Sequence, residues 1–139
     1  MKKKVIRVIA IVFVVIMLTS TFAVASQESS TYIAATNGYF TRSGNDVNIY
    51  FSIIGRGMMN EIGVSKILLY EKNGNTWSRV YTFDADDSNY TVYMLSYNAS
   101  AHADHVTYSG SATKDYYAKI YFYAADDDGS DTITYYAYS

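Results

Sequence analysis

Apolar and polar residues alternate along most of this chain with a period of two, and no window after Ala25 keeps a 3.6-residue apolar period with capping residues. Val47, Ile49, Phe51 and Ile53 alternate with Asn48, Tyr50 and Ser52, which predicts a strand that ends near Gly55-Arg56-Gly57. Ile62 to Glu71 and Thr76 to Phe83 form a second and a third run, joined through Asn73-Gly74, a strong short hairpin signal. Asp84 to Asn89 is a polar connection, and Tyr90 to Tyr97 is a fourth run. Ala99 to Lys114 reads mostly as loop, with a short strand around Val106 to Tyr108. Tyr116 to Ala125 is the cleanest alternation, Asp128-Gly129 turns it, and Thr132 to Tyr138 returns. Short strands, frequent turns and no helix predict an all-β fold, an antiparallel β-sandwich of about seven strands.

Register sorts the side chains of the last hairpin into two faces. With Asp128-Gly129 as a two-residue loop, Phe122 faces Tyr135, Ala124 faces Ile133 and Ile120 faces Ala137. Together with Ala118 these form the expected core face. The opposite face carries Tyr117, Lys119, Tyr121 and Tyr123 on one strand and Thr134, Tyr136 and Tyr138 on the other, since successive side chains in a strand point to opposite sides. About Asn73-Gly74, Tyr70 faces Trp77, Leu68 faces Arg79, Lys66 faces Tyr81 and Val64 faces Phe83. The other face of that hairpin sets Ser65, Ile67 and Leu69 against Ser78, Val80 and Thr82. It lacks charge and is the expected core side, which leaves Tyr70, Trp77 and Tyr81 outside among Lys66 and Arg79.

The N-terminal segment changes the domain count. Lys2, Lys3, Lys4 and Arg7 precede an unbroken apolar run from Val8 to Leu18, and small residues then lead to Ala23-Val24-Ala25. A basic region, a short apolar region and an A-x-A site are the parts of a secretory signal peptide. Thr19, Ser20 and Thr21 interrupt the run before the roughly 20 apolar residues that a membrane span needs. The expectation is a signal-peptide helix at 1–25, contact with the membrane only in transit, and a single domain at 26–139 that is secreted or held at the cell surface. The chain has no cysteine, so it forms no disulfide and carries no lipoprotein anchor.

Charge removes further classes. Four of the eleven basic residues and none of the thirteen acidic ones lie before Ser26, so the remainder carries a net charge of −6. Nucleic-acid binding needs clustered Lys and Arg and is not expected. Asp126-Asp127-Asp128-Gly129-Ser130-Asp131 has the oxygens of a calcium loop. An EF-hand register would need acids where Ala124 and Tyr135 stand, so an acidic hairpin turn is expected instead, as it is for Asp84, Asp86 and Asp87. His102, Asp104 and His105 are the only histidine–carboxylate grouping, and without a third histidine or an H-E-x-x-H spacing they read as a solvated loop. No nucleophile elbow, P-loop or dinucleotide fingerprint occurs. The chain is expected to need no cofactor and to be no enzyme; a small secreted enzyme using the histidines or an acidic cluster is the minor alternative.

The stretch Tyr116 to Asp131, YYAKIYFYAADDDGSD, resembles the penultimate strand and turn of fibronectin type III and other immunoglobulin-like domains. The whole pattern is similar to small secreted domains of Gram-positive bacteria. The immunoglobulin-like resemblance implies that the two hairpins share a sheet, which would merge their outer faces into one surface holding Tyr70, Trp77, Tyr81, Tyr117, Lys119, Tyr121, Tyr123, Tyr136 and Tyr138. Such rings present flat apolar area with a polar tip, and a contiguous patch of them suits a contact site. Sixteen tyrosines in 139 residues make this the chemically unusual part of the chain. The expected partner is a glycan, a cell-wall polymer or a protein. The competing expectations are rings that only stabilise the sheet and a structural surface protein whose strand edges pair between chains.

Overall fold

Two Gly-Asn loops set the registers at the centre of the fold. In the computed structural model, which describes residues 29–139, strands β1 (Ile33–Ser43) and β2 (Asp46–Asn73) meet at Gly44-Asn45, and β2 and β3 (Thr76–Asp84) meet at Gly74-Asn75. Gly44 at φ +60 and Gly74 at φ +63 occupy the first central position, where a type II′ hairpin turn places glycine. A single helical turn, α1 (Thr91–Met94), leads into β4 (Leu95–Ser109), followed by β5 (Tyr116–Ala125) and β6 (Ser130–Tyr138). The expected signal peptide at 1–25 lies outside the described residues.

All pairings are antiparallel, within one six-stranded sheet organised by β2. The first half of β2 pairs with β1 on one side and β4 on the other. Its second half pairs with β3 and β5, and β5 pairs with β6. The expected strand end at Gly55-Arg56-Gly57 is instead a bulge. Between Ile54 and Met59 the chain slips against β4, bends and continues, so two expected strands are one strand of 28 residues. A second shift, between Val64 and Lys66 against β5, lets β2 change which parity it buries: Val47, Ile49, Phe51 and Ile53, then Ile62 and Val64, then Ile67 and Leu69. Bulges bend and twist a strand in this way.

Three other segments depart from the alternation. Ile33–Ser43 is a strand although few of its residues are apolar. Tyr90 to Tyr97 is not a continuous strand, because Thr91–Met94 form the helical turn, with the Thr91 hydroxyl donating to the Ala85 carbonyl at 2.6 Å. The expected loop 99–114 is strand as far as Ser109, paired residue for residue with β2 from Asp46 to Ile54.

The core collects the inner faces of every element. Tyr116, Ala118, Ile120, Phe122 and Ala124 are buried along β5, joined by Ile133 and Ala137 of β6, Phe83 of β3, Val106 of β4 and Met94 of α1. β1 crosses the inner face of β5 at Gly38, where a Cβ would lie 2.7 Å from Ile120 Cδ1. Asp131 of β6 ties down the start of β1: its Oδ2 accepts from the Ser30 hydroxyl at 2.6 Å and from the Thr31 amide at 2.8 Å. These bonds, the Ser30 one foremost, hold the Asp131 carboxyl below the usual carboxylate range.

The last hairpin turns on four residues, not two. Ala125 pairs with Ser130, and the Asp126 carboxylate accepts from the amides of Asp128 and Gly129 at 2.8 and 3.2 Å. Phe122 therefore faces Ile133 and Ile120 faces Tyr135, a slide of two residues that leaves every side chain on its expected side.

Candidate functional site

The outer face of β3, the second half of β2, β5 and β6 carries the aromatic residues in cross-strand rows. Tyr70, Tyr117 and Tyr138 are directly opposed across β2, β5 and β6. Tyr70 and Tyr117 stack with ring centres 4.5 Å apart and planes 6° from parallel. Trp77 meets Tyr117 edge-on at 4.9 Å, and Tyr138 lies 5.7 Å from it on the far side. Burial, then the neighbouring Tyr70, pushes the Tyr117 phenol above its usual range. One row further along, Lys119 opposes Tyr136, and its ammonium lies 5.2 Å from the Tyr121 ring centre and 5.8 Å from that of Tyr136. These distances are within reach of a cation–π contact. The hydroxyls of the same two tyrosines, Tyr121 foremost, raise the Lys119 pKa.

Past that row, Tyr121 and Tyr123 line an open groove of about 490 Å³ together with Glu61, Lys66, Asp84 and Asp86. Lys66 and Asp84, opposed across β2 and β3, form an ion pair at 3.2 Å. The Asp86 amide, and after it Lys66, hold the Asp84 carboxyl below its usual range.

Eight of the nine expected surface residues thus share one face. Tyr81 is the exception. A register shift between Leu69 and Tyr70 against β3 sets Tyr81 opposite Leu69, on the other side of the sheet, where it stays 37% exposed at the rim of the core. Its ring joins Phe83 at 4.7 Å and Tyr108 at 5.7 Å, and its hydroxyl shares a 2.6 Å hydrogen bond with that of Tyr90. The expected facing pairs between the turn and that shift are replaced for another reason: the turn falls on Gly74-Asn75 instead of the expected Asn73-Gly74, which sets Lys72 opposite Trp77 and Arg79 opposite Tyr70.

The Tyr81–Tyr90 bond has a consequence at high pH. The bond to Tyr81, and after it burial, pushes the Tyr90 pKa up to about 12, against about 10 in an unfolded chain. The fold therefore holds that proton more tightly than the unfolded chain does. The stabilisation is complete below pH ~10 and is lost as pH rises through about 12. Tyr81→Phe is expected to move the alkaline unfolding midpoint to lower pH, followed by circular dichroism alongside tyrosinate absorbance. A midpoint unmoved by the substitution would contradict this account.

The histidines lie on β4, not in a loop. His102 is buried, with Nε2 donating to the Tyr93 carbonyl at 2.7 Å and Nδ1 bonded to the Ser96 hydroxyl at 2.7 Å. A carbonyl can only accept, so the proton on Nε2 is fixed; the Nε2 bond holds α1 against β4, and the Nδ1 bond ties two residues of β4 together. His105 points outward and stacks on Tyr50 at 4.8 Å, which stacks on Tyr39 at 5.1 Å. This second row crosses β1, β2 and β4 and was legible from the first Gly-Asn loop, since Tyr39 and Tyr50 stand equally far from Gly44-Asn45. Among the described residues, no group of three histidine or acidic side chains is placed to hold a metal ion. No protein-family model, curated protein or solved structure matches the chain.

Proposed function

We propose that this chain is an exported, non-catalytic binding module that holds a glycan or cell-wall polymer against the outer face of β5 and β6. The observation that carries the reading is the open row in which Lys119 lies over both Tyr121 and Tyr136, flanked by the ring cluster of Tyr70, Trp77, Tyr117 and Tyr138. Tyr136 is 50% exposed and Tyr138 67% exposed, so ring surface is left for a partner. Flat rings suit the C–H faces of sugars, and Lys119 adds a donor for hydroxyl or carboxylate oxygens. The basic and apolar segment that ends at Ala23-Val24-Ala25 supports export. The finer architecture belongs to the same reading: an immunoglobulin-like sandwich, similar to fibronectin type III domains, with β2 passing between two packed layers.

Retention on insoluble cell-wall material tests the proposal. The wild-type chain is expected to sediment with the wall, and Tyr121→Ser combined with Tyr136→Ser is expected to remain in the supernatant with its circular dichroism unchanged. Equal sedimentation of a folded double variant refutes the glycan-binding face. An apparent mass from light scattering that grows with protein concentration in the absence of wall points instead to self-association through strand edges.

A further inference from the structure

The first half of the sheet carries its own row of rings, apart from the face around Lys119. Tyr39 of β1 and Tyr50 of β2 stand directly opposite each other, where cross-strand side chains start roughly 5 Å apart. Their rings stack with centres 5.1 Å apart and planes 3° from parallel. His105 stacks on Tyr50 as well, at 4.8 Å, so Tyr39 is the one tyrosine ring that Tyr50 meets among the described residues. Tyr39 is 51% exposed and has no second ring against it among the described residues. An open pocket of about 330 Å³ beside the pair, bordered by Ser52, Ala103 and Asp104, gives both rings room to turn. Other tyrosine contacts lack one of these features. Tyr70 and Tyr117 stack as closely, but Trp77 and Tyr138 wedge the Tyr117 ring in place. Tyr81 meets Tyr90 edge-on, 83° from parallel, hydroxyl to hydroxyl.

We propose that Tyr39 and Tyr50 form an oxidative coupling site, at which a haem peroxidase working with hydrogen peroxide joins the two rings by a carbon–carbon bond. Each phenol gives up one electron and one proton. The two phenoxyl radicals join through one carbon ortho to each oxygen, and the hydrogens on those carbons move to the oxygens to restore two phenols. Hydrogen peroxide takes up the two electrons and two protons, its O–O bond breaks, and it leaves as two waters. The chain has then lost two hydrogens, and β1 is tied covalently to β2. β1 is an edge strand with few apolar residues, and the chain has no cysteine with which to fasten it. Rings held in contact couple in preference to rings that must first meet by diffusion. The site is independent of the glycan-binding reading, since it uses none of the rings around Lys119.

Treatment of the dilute chain with a peroxidase and limiting hydrogen peroxide tests the site. The expected product has dityrosine fluorescence and the mass of a single chain less two hydrogens. Trypsin cuts after Arg42, between the two tyrosines. The main coupled product is therefore expected to be the peptide ending at Arg42 joined to Ser43–Arg56, whose one tyrosine is Tyr50. Tyr39→Phe removes only a surface hydroxyl and is expected to lose most of the single-chain emission, whereas Tyr138→Phe, at a ring 67% exposed, is expected to keep it. In urea the share of this pair is expected to fall, because the stack is gone. The peptide map and the urea arm decide the point should a variant fail to fold. Coupling found mainly between chains, single-chain coupling mainly at other tyrosines, emission unmoved by Tyr39→Phe, or an equal share for the pair in urea overturns the inference.

Discussion

Gly63→Ala is expected to unfold the chain or to cost at least about 3 kcal/mol, more than most single substitutions. Gly63 is the position where the two halves of the fold are joined: it pairs with Leu95 of β4 on one side and Tyr123 of β5 on the other. Its φ of +154 lies where L side chains are strained. A Cβ there would lie 2.0 Å from the Met94 carbonyl oxygen. That atom is backbone, at the junction of α1 with β4, and cannot turn away as a side chain would. Relief requires β4 to move off β2, which would uncover Met94 and Ile62, both buried. Glycine in a strand interior often marks such a close backbone approach. Urea unfolding followed by circular dichroism measures the cost. A loss below about 1 kcal/mol would mean that the β2–β4 junction yields at little expense. Gly57→Ala makes a useful contrast: its φ is +147, but a Cβ there meets nothing within 4 Å, so only the backbone strain remains.

What the sequence revealed follows from how local each signal is. Parity is the most local. On β5 every even-numbered residue from Tyr116 to Ala124 is buried and every odd-numbered one is partly exposed, as the alternation alone implies. The outer positions of Tyr117, Lys119, Tyr121 and Tyr123 were therefore readable without any knowledge of the turn. A slide of two residues at Asp126–Gly129 changes partners without changing faces. A one-residue shift changes faces, and such shifts depend on contacts remote in sequence. Tyr81 was misplaced for that reason: the bulge between Leu69 and Tyr70 has no glycine or proline to announce it. Ile33–Ser43 and the middle of β4, Ala99 to His105, were missed because their apolar content is low. Their backbone bonds go to β2, whose own alternation supplies most of the buried area there. The groove was illegible for a related reason. Glu61, Asp84 and Tyr121 come from three strands, and only the pairing of β2 with both β3 and β5 brings them together.

Tyr117→Ala is expected to cost roughly 2–3 kcal/mol, from the loss of three ring contacts at about 0.5–1.5 kcal/mol each, reduced because the ring is partly exposed. Tyr117 is the hub of its row: Tyr70 is stacked on it, Trp77 meets it edge-on and Tyr138 lies against it at 5.7 Å. These contacts span all four strands of this half of the sheet, so the row fastens β3 and β6 to the centre. Tyr121 is different. Its close aromatic-face neighbour is the Lys119 ammonium at 5.2 Å, and no ring stacks on it among the described residues. Tyr121→Ala is therefore expected to cost less than about 1 kcal/mol. One face thus divides into a stacked part that contributes to stability and an open part whose rings are left to a ligand. Thermal or urea melts of the two variants separate these roles. Equal costs would show that the whole face serves stability, and a small cost for Tyr117→Ala would show that stacking at the surface contributes little. The predicted inequality is also what makes wall retention interpretable, because a loss on substituting Tyr121 and Tyr136 can be assigned to binding only if those rings contribute little to the fold.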